Sequence, residues 1–252
     1  MTPLDALSFQ LYSARSLPSQ EEQFELLAGL GYSKVEPYAV FLDDVDRFQR
    51  LLERHRMTAP TAHIGLDRLR ADARGVGRRC RELGIGIAFG PAPPPGEREK
   101  DAAGWRALGR ELAGIGSVLA RENVRFGWHN HHFEYKRCAD GGLPLDLIFE
   151  EAPDLLWEAD LAWIVRGAAD PAQELARLRD RVIACHIKDI APAGEALDED
   201  GWADVGHGTL DWGKLLAAMR AAGVEYLVAE HDKPQDVARF ARRARETVAS
   251  WQ

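Results

Sequence analysis

Eight short apolar runs, each followed by an amphipathic stretch, fill this chain from end to end. The runs are residues 6–12, 34–38, 58–64, 86–90, 125–131, 155–162, 182–190 and 226–230. They are flanked by Gly, Pro or Asp and are short for buried helices, so they read as buried parallel strands. The stretches between them carry helical spacing. Residues 20–31 place Phe24, Leu27 and Ala28 on one face and end at Gly29 and Gly31. Residues 45–57 turn Val45, Phe48, Leu51 and Leu52 inward, and residues 211–223 carry Leu215, Leu216 and Met219 before stopping at Gly223. A last helix begins after Pro234, with Val237, Phe240, Ala241, Ala244, Val248 and Trp251 on one apolar stripe. Pro171, after Asp170, sits where a helix prefers its first residue.

Eight strand–helix units in 252 residues predict an α/β chain folded as one (β/α)8 TIM barrel over residues 1–252. The alternative is a doubly wound open sheet. No GxGxxG follows the first strand, and Gly29 and Gly31 close a helix rather than open one. Residues 91–96, with four prolines, make a stiff loop, and residues 194–208 make a longer polar loop that would wall or cover a site.

In such a barrel, chemistry belongs at the C-terminal strand ends. Four runs finish there in metal-ligand residues: Trp128 to Glu134, Glu158-Ala159-Asp160, His186-Ile187-Lys188-Asp189 and Glu230-His231-Asp232. Histidine and carboxylate rarely finish buried strands unless something binds them, so one divalent-metal site shared by several tips is expected. Asp160 reads as a ligand rather than a helix cap, because residues 161–167 intervene before the next helix start. Glu158 shares its side of the strand and either joins the site, lies lower in the barrel or pairs with a basic group. A lone His186 would suit a core, but Lys188 and Asp189 follow at once. Glu230, on the eighth tip, reads as a ligand that also transfers a proton. His231 and Asp232 either hold Glu230 or cap the next helix. His129 and His131 share one side of their strand, and His132 points away as a structural residue. Glu36 and His63 lie near two other tips and suit hydrogen bonding to a polyol. His55 reads as exposed on its helix, and His207 as a loop residue of either kind.

A mixed nitrogen–oxygen set without cysteine fits manganese, magnesium, cobalt or zinc. Such an ion next to a ketone acidifies the neighbouring C–H, and a carboxylate or histidine can then remove the proton to give an enediolate. Reprotonation elsewhere gives isomerisation or epimerisation, and loss of a β-hydroxyl gives dehydration. Lys188 and the histidines would assist the leaving group.

The bulk numbers agree with a small-molecule enzyme. The chain is 46% hydrophobic and 29% charged, with no run near the ~18–20 apolar residues of a membrane span. Its first residues lack a secretory pattern, and Cys80, Cys138 and Cys185 form no disulfide framework, so a cytoplasmic protein is expected. A net charge of −8 argues against nucleic-acid partners. Trp157, Trp163, Trp202 and Trp212 would line the pocket, pack the core or form an interface between copies in a homo-oligomer.

Beyond the strand tips, three further segments carry a recognisable pattern. They are Phe9-Gln10-Leu11-Tyr12-Ser13, Asp160 through Asp170-Pro171, and Val205-Gly206-His207-Gly208-Thr209-Leu210-Asp211-Trp212. With the tips, they make nearly the whole chain resemble the xylose isomerase-like TIM-barrel superfamily, in its sugar phosphate isomerase/epimerase and inosose dehydratase branch. The resemblance implies a single divalent ion, often manganese, held by Glu, Asp, His and Glu. Asp160, His186 and Glu230 match three of those positions. The family's first glutamate falls where this chain has Trp128, which moves that role to Glu134 and leaves His131 for substrate or acid–base work; the reverse pairing is the alternative. The family's loop acid falls at His207. The His-Asn-His strand looks closer to dehydratases and to enzymes acting on 3-keto sugars.

The expected site therefore has Glu134, Asp160, His186 and Glu230 on the metal. His131, Glu230 and Lys188 are catalytic, and Glu36, His63, His129 and Lys188 bind substrate. Two other readings compete: an endonuclease IV-like DNA-repair enzyme, which shares the fold by resemblance, and a non-catalytic sugar-binding subunit with an incomplete site.

Overall fold

The structure, a computed structural model, describes residues 2–251. Eight parallel strands form the central sheet: β1 (Leu7–Gln10), β2 (Val35–Glu36), β3 (Thr61–His63), β4 (Ile87–Gly90), β5 (Arg125–His129), β6 (Leu156–Asp160), β7 (Val182–Ile187) and, after two short strands, β10 (Tyr226–Ala229). The order is β2-β1-β10-β7-β6-β5-β4-β3. The open ends meet through single bridges between Lys34 and Thr58 and between Tyr38 and His63. The Val35 and His63 amides donate across this seam to the Thr58 and Pro37 carbonyls, each at 2.9 Å. The barrel is nearly closed, as the eightfold alternation predicts.

The strands form because their residues are buried almost throughout: every position of β1, β3, β4 and β7 is buried. The helices start where short polar side chains accept from their first turns. Ser19 caps Gln20–Gly29, Asp44 caps Val45–His55, Asp211 caps Trp212–Ala222 and Asp236 caps Val237–Ser250. Such a cap stabilises its helix by about 1 kcal/mol. Asp170 caps Pro171–Arg177, with proline at the first position as the sequence indicates. Gly223 ends its helix at φ 73°, a left-handed conformation that costs glycine little. The last helix seats Val237, Phe240, Ala241, Ala244 and Val248 on the barrel. Burying each of the larger ones stabilises the fold by roughly 1.5–3 kcal/mol. No helix of the described residues is long and apolar enough to cross a membrane.

Three local expectations change. A short helix, Leu161–Arg166, follows β6 directly, and Asp160 is its cap: Oδ1 accepts from the Trp163 amide at 2.8 Å. His55 is half-buried, not exposed, because its ring packs on Phe24 at 5.8 Å. The loop expected over residues 194–208 is partly structured: β9 (Trp202–Ala203) pairs antiparallel with β8 (Asp189–Ile190). Asp189 organises this region. Its buried carboxylate accepts from the amides of Ile190, Gly206, Gly208 and Leu210 and from Trp212 Nε1. A Cβ at Gly208 would fall inside that carboxylate, so the close approach needs glycine.

Candidate metal centre

Parallel register brings the polar tips together. Gln10 lies beside Glu36, His129 beside Glu158 and Asp160 beside His186. Each pair points into the barrel, where hydrocarbon would otherwise be expected, and each side chain is essentially buried.

Two overlapping clusters result. The upper one contains His129, Asp160, His186 and Glu230, with one donor atom from each lying within 4.8 Å of those of the others. His186 Nδ1 is 2.9 Å from Glu230 Oε2, and His129 Nε2 is 3.9 Å from Asp160 Oδ2. The deeper cluster contains His63, His129, Glu158 and His186. Glu158 Oε2 sits 2.5 Å from His63 Nε2, 3.1 Å from His129 Nδ1 and 3.2 Å from His186 Nε2. Glu36 Oε1 lies 2.8 Å from His186 Nε2 and accepts from Gln10 Nε2 at 2.7 Å.

Lys188 closes the upper cluster from the tip of β7, two residues past His186. Its fully buried ammonium lies 3.1 Å from Asp160, 2.6 Å from Glu230 and 2.7 Å from Asp232, over the ring of Trp202. Burial would lower its pKa, but the three carboxylates outweigh that and keep it charged. Burial would likewise raise Glu230, yet Lys188 and His186 hold it well below the usual carboxylate range. Asp160 is pushed up to about 6 by burial, against the pull of Lys188. Burial opposes charge on His186, but Glu158 and Glu230 raise it well above the ordinary imidazole value. His129 falls to about 3, through burial and then the charge on His186.

Of the residues expected on the metal, three are brought together and one is not. Glu134 is buried in the turn His132–Tyr135, away from the cluster. Strand alternation sends Trp128 to the face of β5 opposite His129. The Trp128 indole donates to Glu134 Oε1 at 3.1 Å, and the His131 amide donates to Oε2 at 2.8 Å. Burial pushes the Glu134 carboxyl up to about 8. The cluster of Asp160, His186 and Glu230 is completed by His129 and does not include Glu134.

A pocket of about 340 Å3 opens above the cluster, lined by Tyr12, Tyr38, His63, His129, His131, Glu230 and Asp232 among others. His129, His131 and Glu230 therefore face a ligand space. His131 Nδ1 is buried without a partner, and burial holds this imidazole well below its ordinary pKa. His63 reaches the lining, but its Nε2 is turned down toward Glu36 and Glu158. Two expected substrate contacts do not line it: Glu36 and Lys188 are both fully buried. His132 is exposed and packs on Trp163 at 5.0 Å, and His207 is exposed in its loop. His231 is buried, donates its amide to Ser13 Oγ and does not cap the last helix. Sequence reasoning left Glu158 open between the site, a lower place in the barrel and a basic partner, and it left Gln10 outside the site. Their signal was a polar residue two positions before, or at, the end of a buried strand.

The residues fit a divalent ion. Asp160 Oδ2 is buried and accepts no hydrogen bond, with the Lys188 ammonium 3.1 Å away as its ion-pair partner. Two imidazoles and one further carboxylate converge with it, and no cysteine is among them. That donor set accepts manganese, magnesium, cobalt or zinc.

This chain belongs to the xylose isomerase-like TIM barrel family, whose sequence profile matches residues 24–250. Solved structures of similar shape include the probable 3-DHS dehydratase AsbF from Bacillus anthracis, at 12% identity over 100% of both chains with a TM-score of 0.79. The IolI protein with a bound zinc atom is 16% identical, over 97% of this chain and 95% of that one, at a TM-score of 0.76. The 3-keto-D-glucoside 4-epimerase YcjR from E. coli is 18% identical, over 97% and 99%, at a TM-score of 0.72. At such identities the likeness speaks for the fold. No curated protein matches the chain.

Proposed function

We propose that this protein is a metal-dependent enzyme that isomerises, epimerises or dehydrates a keto sugar or keto inositol through an enediolate. The observation that carries this reading is the convergence of His129, Asp160, His186 and Glu230 under a pocket with a free imidazole nitrogen. These four side chains would hold the ion, manganese being the first candidate, in place of a set that includes Glu134. An ion held there would supply Lewis acidity toward a substrate carbonyl, which acidifies the neighbouring C–H.

The protein groups divide the remaining work. Glu230 borders the pocket and is kept ionised by Lys188 and His186, so it can accept the α proton. His131 presents a neutral imidazole whose Nδ1 can bond a substrate hydroxyl or return a proton at a second carbon. Lys188 holds Glu230, Asp160 and Asp232 in place. Tyr12 and Tyr38, edge to face at 5.5 Å, form one wall suited to the apolar face of a ring. The pocket's charged lining is acidic, through Glu230 and Asp232, which favours an uncharged polyol over a phosphate ester.

The test is proton exchange. Chelator-treated protein reloaded with manganese, offered keto sugars and inososes in deuterated water, should place deuterium beside the carbonyl. Glu230→Gln should abolish the exchange while still folding. Full exchange by the Glu230→Gln protein would remove Glu230 from its role, and no exchange with any member of the panel would remove the reaction class.

A further inference from the structure

The two clusters share His129 and His186, but through opposite ring nitrogens. His129 turns Nε2 toward Asp160 and Nδ1 toward Glu158. His186 turns Nδ1 toward Glu230 and Nε2 toward Glu36 and Glu158. A neutral imidazole has one lone pair and one N–H, and a carboxylate can only accept. With an ion in the upper cluster, the ligating nitrogens are His129 Nε2 and His186 Nδ1, and each opposite nitrogen must carry the proton. Those protons point at Glu158 and Glu36. Filling both clusters with ions would require both imidazoles to lose both protons, an expensive state in a site already rich in carboxylates.

We propose that Glu158 and Glu36 are positioning residues that lock His129 as its Nδ1–H tautomer and His186 as its Nε2–H tautomer, so the deep cluster supports a single ion above it. This rests on the reading that His129, Asp160, His186 and Glu230 hold that ion. Outer carboxylates of this kind orient a ligand ring and raise its basicity, and their loss typically costs about 10–100-fold in metal affinity. The register explains why Glu158 serves two rings: it lies beside His129 on β5 and across from β7, whose His186 pairs with Asp160 two residues on. Gln10 steadies Glu36 from β1, and His63 bridges both carboxylates while stacking parallel on His186 at 4.9 Å. One feature favours a rival. Glu36 Oε2 and Glu158 Oε1 are buried without partners, and a second cation would use them.

Zinc is the probe, because it is diamagnetic. Wild-type protein titrated with zinc should retain one ion per chain. Long-range proton–nitrogen correlation spectra should show a protonated Nδ1 on His129 in both free and loaded protein. In loaded protein, His186 should be protonated at Nε2. Glu158→Ala should weaken zinc binding about 10–100-fold. Glu158→Gln, which keeps an acceptor oxygen, should recover most of that loss and guards against a misfolded alanine variant. Two ions per chain, the opposite tautomer on either ring, or a Glu158→Ala protein of wild-type affinity would overturn the proposal. A wild-type protein that takes up no zinc would instead overturn the metal reading on which it rests.

Discussion

Glu134→Gln separates a metal ligand from a buried structural acid. The Glu134 carboxyl titrates at about 8 in the folded protein, against 4.5 for the free side chain, because burial penalises its charge. Its folded pKa is raised, so between these values the folded chain holds a proton that the unfolded chain releases. Stability therefore falls as pH rises through this window. Between about pH 5.5 and 8 this amounts to roughly 3 kcal/mol of wild-type stability. Glutamine cannot ionise, so the variant lacks this loss. It offers one acceptor to two donors, Trp128 Nε1 and the His131 amide, and leaving one unpaired costs about 1–3 kcal/mol. Glu134→Gln should thus be the less stable protein near pH 5.5 and should match or exceed wild type near pH 9. Denaturant unfolding followed by tryptophan fluorescence, with chelator present at both pH values, reads the reversal. Zinc affinity should stay at the wild-type level. A variant that loses more stability at pH 9 than at pH 5.5, or that loses zinc, would show an ionised Glu134 engaged with a cation and would refute the reasoning.

Two further outcomes follow from buried charge. Lys188→Met strands Asp160, Glu230 and Asp232 without their common cation. Breaking a buried pair in this way costs about 3–5 kcal/mol, and calorimetry should show a melting temperature lower by roughly 6–20 °C for a chain of this size; a loss under about 1 kcal/mol would mean that the carboxylates are not ionised together. Asp189→Ala removes the one acceptor shared by five donors. Limited proteolysis should then cut between residues 190 and 212 in folded protein, and an unchanged digest would show that the loop holds itself.

The sequence by itself determined the barrel. Strand ends, helix stripes and caps are local features, and eight repeats of one local unit leave few ways to close a sheet. It also determined that Asp160, His186 and Glu230 share one mouth, because each ends a strand and parallel strands end at the same face. What it did not decide was the fourth corner. His129 and Glu134 are five residues apart, and only the folded turn shows that Glu134 swings behind β5 to the indole of Trp128. It also set ligand against cap for Asp160 and chose ligand, where the fold lets both stand. The short helix after β6 lets one oxygen cap while the other faces the cluster. The layer beneath was less legible still. Glu36, His63 and Glu158 could not be joined to one another from the sequence, since their partners lie 26 to 150 residues away. Tertiary closure joins them. A charge at one strand tip is a local fact, but which nitrogen of a shared histidine it faces depends on the strand that packs beside it.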